Sequence, residues 1–162
     1  MKILLIAAVT TLGLFTQSLS ANVLEDLVGS WKYRGAAYVD GWKVAKATGT
    51  MRVSKLGKNS YSMVTTANGD VFLDSISISG TSNDWMFPNG KTAGYFITDG
   101  ETTSVSSGTW KVSGNKIIFT SKSYSPGEEP SSSTETYTRK NRKRFDFSGS
   151  GDGYTFKGSI TR

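Results

Sequence analysis

The period of the chain is plainest near its end, where Tyr154, Phe156, Gly158 and Ile160 alternate with Thr155, Lys157, Ser159 and Thr161. A two-residue alternation of apolar and polar positions marks a strand with one buried face. The same period, interrupted by turn residues, runs through most of the sequence. A first strand is expected over 30–39, with Trp31, Tyr33, Gly35 and Ala37 on one face and Lys32 and Arg34 on the other. Asp40-Gly41 supplies a hairpin turn. The next strand, over 42–56, carries Gly49 at its middle, where a bend or bulge is expected. Gly57-Lys58-Asn59 leads into a strand over 60–66, and Asn68-Gly69-Asp70 into another over 71–79.

Past Gly80 the apolar cluster Asp84-Trp85-Met86-Phe87 runs into Pro88-Asn89-Gly90, a turn in which proline sets one φ and Asn-Gly provides positive φ. Strands over 93–98, 102–112 and 117–124 follow, divided by Asp99-Gly100 and by Ser113-Gly114-Asn115-Lys116. The stretch 125–133, with two prolines, a glycine and two glutamates, is the longest expected loop. A meander over 134–139, 144–149 and 154–161 completes the chain, with a tip at 140–143 and a turn at 150–153.

No run holds a helical period for the length of a typical helix. Residues 22–28, with Leu24, Leu27 and Val28 around Glu25 and Asp26, make one helical turn at most. Nine or ten strands joined mainly by hairpins leave two long unpaired edges unless the sheet closes. The expected fold is therefore all-β, an antiparallel up-and-down β-barrel of 8–10 strands with a short N-terminal helical turn. A β-sandwich is the alternative. Bulges at Gly49 and Gly94 would exchange the inward and outward faces of their strands.

The first residues stand apart from this pattern. Lys2, the apolar run over 3–15 and the small residues Ser18-Leu19-Ser20-Ala21 read as a signal peptide over 1–21, followed by one domain over 22–162. The apolar run is shorter than the roughly 20 residues a spanning helix needs. Export to the periplasm or the exterior is expected. Cysteine is absent, which removes disulfides, thiolate metal sites and a lipid anchor on an N-terminal cysteine. Lys plus Arg number 19 against 13 Asp plus Glu, a net charge of +6 that falls by one when Lys2 leaves with the signal. Such a surface favours anionic partners weakly. Aromatic residues at 12% separate this Gly-, Ser- and Thr-rich chain from a disordered one.

Leu27-Val28-Gly29-Ser30-Trp31, a glycine two residues ahead of a tryptophan at the start of the first strand, resembles the opening of lipocalin and calycin barrels. Gly108-Thr109-Trp110-Lys111-Val112 echoes it, and the hairpin running on to Ile117 together with the strand count strengthens the likeness to bacterial lipocalin-like proteins. The resemblance implies that Trp31 plugs a closed barrel end and that a basic residue late in the chain lies across it. Arg162 is placed for that role, with Arg139 and Arg144 as competitors. The chain departs from larger lipocalins in having no recognisable acidic loop motif and no C-terminal helix.

Candidate chemistry is sparse. With no histidine, the usual His-based nucleophilic systems, His-ligated zinc and a proximal haem ligand are excluded, and no cofactor is expected. Most carboxylates fall in expected turns. Asp74 and Asp146, inside strands, are the two whose setting matters, since paired carboxylates can cleave glycosidic bonds. Arg139, Lys140, Arg142, Lys143 and Arg144 put five positive charges in six residues at a hairpin tip, either a solvated edge guard or a contact for anionic headgroups and polymers. The run has no interleaved aromatics, so nucleic acid is not expected. Trp42, Tyr61, Met63, Trp85, Phe87, Tyr95, Trp110 and Tyr137 form the candidate ligand-binding set, with Phe119 and Phe156 also on expected inward faces. The cluster 85–87 is either a rim at the open end or core. Three readings follow: a non-enzymatic barrel for a small apolar or amphipathic ligand with an anionic end; a filled barrel that docks to an anionic envelope surface or a protein through its basic hairpin; and an enzyme built on two carboxylates.

Overall fold

Ten antiparallel strands pair in sequence order and the last returns to the first, so no edge is left open. The computed structural model describes residues 23–72, 76–98 and 101–162. The strands are β1 (Gly29–Val39), β2 (Trp42–Gly57), β3 (Ser60–Val71), β4 (Ile76–Met86), β5 (Lys91–Thr98), β6 (Glu101–Ser113), β7 (Lys116–Tyr124), β8 (Ser131–Asn141), β9 (Arg144–Gly151) and β10 (Tyr154–Thr161). Closure runs from Lys32 opposite Thr161 to Tyr38 opposite Thr155. The up-and-down barrel is thus established, and the sandwich is not formed. The signal peptide expected over 1–21, Asp74 and the turn at Asp99-Gly100 lie outside the described residues.

Several boundaries differ from expectation, and β8 begins at Ser131, inside the loop expected over 125–133. Asn68-Gly69-Asp70 makes no turn: it continues β3, with Thr48, Ala47 and Lys46 opposite it on β2 and Ser79, Ile78 and Ser77 on β4. Turn chemistry here gives way to ladder hydrogen bonds on both sides, reinforced outside the barrel by Lys46 Nζ at 3.1 Å and Ser77 Oγ at 2.9 Å from the Asp70 carboxylate. The cluster 84–86 is consequently the end of β4. Pro88-Asn89-Gly90 does turn, with Gly90 at φ 76° and its N–H donating to the Phe87 carbonyl at 3.1 Å.

Register runs unbroken through Gly49 and Gly94, so neither exchanges the faces of its strand. The shifts fall instead near strand ends, at Ala37/Tyr38, Lys55/Gly57, Phe96/Ile97 and Arg139/Asn141. Hence Trp31, Tyr33, Gly35 and Ala37 share the inward face of β1 with Ile160, Gly158 and Phe156 of β10.

The core sits at one end. A helical turn over 23–27 covers that end with Val23, Leu24 and Leu27, all buried against Trp31, Met51, Val53, Ile117, Phe145 and Ile160. Each buried aliphatic side chain is worth about 1.5–3 kcal/mol, enough to hold a helix too short to persist alone. Trp31 meets Phe145 edge to face at 5.4 Å, and its indole N–H donates to the Leu27 carbonyl at 2.7 Å. The Arg162 guanidinium lies 4.2 Å from the Trp31 ring centre and donates to the carbonyls of Asp26 and Val28. The lid implied by the lipocalin resemblance is therefore Arg162. Gly29 makes the approach possible: its φ is 133°, and a Cβ there would stand 2.9 Å from Arg162 Nη2.

Candidate functional site

Small residues leave the other half of the barrel unfilled. Pairing puts Ala37, Ala45, Ala47, Ala67, Gly69 and Gly80 on the inward faces of β1 to β4, where the core positions nearer the closed end hold Trp31, Met51, Val53, Met63 and Met86. The result is a cavity of about 300 Å³, walled by those alanines and glycines, Val71, Phe96, Phe147, Phe156 and the ring of Tyr33. That volume lies at the low end of the range in which small-molecule sites are found. The lumen is partly filled and partly hollow.

An aromatic belt separates the cavity from the core. Tyr33 stacks on Phe147 at 5.1 Å, Phe147 meets Tyr137 at 5.5 Å, and Tyr137 meets Phe119 edge to face at 5.9 Å. Gly35 gives the belt its room, since a Cβ there would lie 2.9 Å from the Tyr33 hydroxyl and 3.0 Å from Phe147.

Two carboxylates face inward from β8 and β4, neither of them lining the cavity itself. Glu135 lies on the inward face of β8, opposite Phe119 on β7 and Gly149 on β9. Burial, with a smaller push from the Asp84 charge, raises its carboxyl to about 7 against the opposing help of a Tyr137 hydrogen bond. Asp84 lies on the inward face of β4 beside Gly94, accepts a hydrogen bond from Ser82, and is also raised by burial. Burial and the Glu135 charge push the Tyr33 hydroxyl to about 12 and raise that of Tyr137 well above its ordinary value. Sequence reasoning left Asp84 among the turn acids and did not single out Glu135. The missed signal is parity: Glu135 precedes Tyr137 by two positions, and Asp84 precedes Met86 by two.

The candidate aromatics divide. Tyr61, Met63, Trp110 and Tyr137 face inward, but towards the packed end; Tyr61, Met63 and Tyr137 are buried there and Trp110 packs on the core. Trp42 is 77% exposed on the hairpin at the open end, and Phe87 is exposed at the β4–β5 turn. Trp85 and Tyr95 pair with each other at 5.7 Å on the outward parity of β4 and β5. The inward placement expected for Trp42 and Tyr95 is corrected by the register, which has Gly94 and Phe96 facing in. The cluster 85–87 belongs to the closed end and not to an open rim: Met86 is core, Trp85 is outside and the Phe87 carbonyl accepts the Trp110 indole N–H at 2.9 Å. The echo of Trp31 in Trp110 is thus structural, each indole N–H tying a backbone carbonyl near the closed end.

The basic hairpin also sits there, and acids meet much of its charge. Arg139 lies 2.5 Å from the Asp26 carboxylate, with Arg142 at 3.9 Å. Arg144 and Lys140 approach Asp146 at 2.7 and 3.7 Å. Lys143 forms no ion pair among the described residues. Asp146 is therefore an outer partner of the hairpin, and Arg139 clamps the helical turn to the barrel. A concavity of about 690 Å³ on the outer face of β1, β2, β9 and β10 carries more open charge, from Arg34, Lys43 and Lys157.

No protein-family model and no curated protein matches the chain. Solved structures do match it in fold. The phycobiliprotein lyase CPES from Guillardia theta is similar at TM-score 0.57 and 9% identity, over 91% of this chain and 97% of that one. Rv2717c from M. tuberculosis is similar at TM-score 0.55 and 15% identity, over 88% and 96%. A redesigned β-barrel, mFAP1, bound to DFHBI, is similar at TM-score 0.51 and 14% identity, over 86% and 98%. The chain thus shares the fold of these small β-barrels.

Proposed function

We propose that this chain is an exported barrel that binds a small apolar or amphipathic ligand in its lumen and performs no covalent chemistry on it. The cavity of about 300 Å³ between the aromatic belt and the open end carries the reading. Its alanine, glycine and phenylalanine walls are preformed, so burial of a ligand's apolar surface is offset by little protein reorganisation. Fold neighbours include a barrel bound to the small molecule DFHBI, which supports the architecture as a host for such ligands. Export rests on the signal-like residues over 1–21.

Titration with the neutral fluorophore N-phenylnaphthylamine tests the cavity. Saturable one-to-one binding that persists in high salt is expected for the wild type. Ala47→Trp, which projects an indole into the cavity from the middle of β2, should weaken it by at least about tenfold while the barrel stays folded. Absence of saturable binding by the wild type would overturn the reading and direct attention to the basic outer face.

A further inference from the structure

The lumen holds uncompensated negative charge. Glu135 and Asp84 face inward from β8 and β4, strands separated by three others in the closed order. Neither forms an ion pair with a lysine or arginine among the described residues. Arg139 and Arg162 lie at the closed end and Arg34, Lys43 and Lys157 on the outer face, while Lys46, which borders the cavity, is taken up by Asp70 at 3.1 Å. Glu135 and Asp84 are half-buried; a carboxylate turned into a barrel without a cation is costly to keep ionised, and a partner that brings positive charge recovers part of that cost. Close by are the rings of Tyr33, Phe147 and Tyr137, surfaces that attract a cation through their π faces.

We infer that the lumen takes a cationic amphiphile, its ammonium or guanidinium head held between the Glu135 and Asp84 carboxylates and its apolar body in the alanine-walled cavity. The inference rests on the ligand-binding reading and gives that ligand its charge. It reverses the anionic end expected from the basic hairpin, because a carboxylate head inside this barrel would meet two like charges. Among the described residues Tyr33, Tyr137 and Tyr154 also feel the Glu135 charge, and all three keep their protons at neutral pH. Protonation of Glu135, whose carboxyl is raised to about 7, would release the head as the solution turns acidic.

Calorimetric titration with phenylbutylamine, phenylbutanol and phenylbutyrate, which share one body and differ in the head, separates charge from cavity. At about pH 8 the amine should bind at least about tenfold more tightly than the alcohol, and the carboxylate more weakly than either. The amine's advantage should shrink to within about twofold at about pH 5.5 and in Glu135→Gln, while the alcohol is unaffected. Asp84→Asn should reduce the same advantage and serves if Glu135→Gln does not fold. Equal or tighter binding of the alcohol or the carboxylate would overturn the inference and leave the cavity reading standing. If none of the three binds while N-phenylnaphthylamine does, the inference alone falls; if that probe also fails, both fall.

Discussion

Glu135 shares the inward face of β8 with Tyr137, and its position links the stability of the barrel to pH. A carboxyl of ordinary value 4.5 that is raised to about 7 in the folded protein holds its proton more firmly there than in the unfolded chain. The stability it contributes is therefore complete below about pH 4.5 and is lost as pH rises through about 7, a swing on the order of 3 kcal/mol. Glu135→Gln abolishes this dependence. Denaturant unfolding should show the variant more stable than wild type by a few kcal/mol at about pH 8, with the gain gone at about pH 4. A constant difference across that range would mean that Glu135 is already solvated. At this scale the sequence was legible where alternation was read through: Trp31 and the inward face of β1 follow from it, while the Arg162 lid came from the lipocalin resemblance. It was misread where a residue type was taken as sufficient, as with the exposed Trp42 and the interior Asp84.

Strands depend on glycine in two physically distinct ways. Gly49, Gly108 and Gly158 lie inside strands, and at each a Cβ would overlap a carbonyl oxygen of the neighbouring strand, that of Thr66, Thr120 and Arg34 respectively. Such positions let a coiled sheet turn tightly enough to close without a register shift. Gly57, beside the β2–β3 turn, is different, since the nearest atom to an added Cβ is 4.0 Å away and its φ is not positive. Gly49→Ala should cost roughly 2 kcal/mol or more, whereas Gly57→Ala should change stability by no more than about 0.5 kcal/mol. Equal effects in equilibrium unfolding would remove the close-approach argument. The same contrast explains which boundaries the sequence revealed. Asp40-Gly41 and Pro88-Asn89-Gly90 turn because their backbones adopt the positive φ their residues permit. Asn68-Gly69-Asp70 has the same composition but pairs along its length on both sides, and only the neighbouring strands could disclose that.

The molecule divides along its axis into a packed end and a hollow one. Trp31, Phe145, Ile117 and Ile160 meet the helical turn at the first, and Arg139 and Arg162 fasten that turn to the barrel through Asp26. At the second, small side chains on β1 to β4 face Phe96 and Phe156 across open space. Fold class was legible because nine or ten hairpin-linked strands leave two long unpaired edges unless the sheet closes. The cavity was not, because its position depends on which end each inward residue occupies, and four bulges near strand ends set that register. Stability and binding should accordingly separate. Phe145 is fully buried beneath Trp31, so Phe145→Ala leaves a hole in dense packing and should cost about 3–5 kcal/mol. Phe156 is half-buried on the cavity wall, so its truncation removes fewer contacts and enlarges a space that already exists. Phe156→Ala should lower stability by only about 1 kcal/mol and yet change the affinity for N-phenylnaphthylamine by several-fold. Unfolding curves and probe titrations on the two variants check this together. If Phe156→Ala proved as destabilising as Phe145→Ala, the open half would be core, and the barrel would have no room for a ligand.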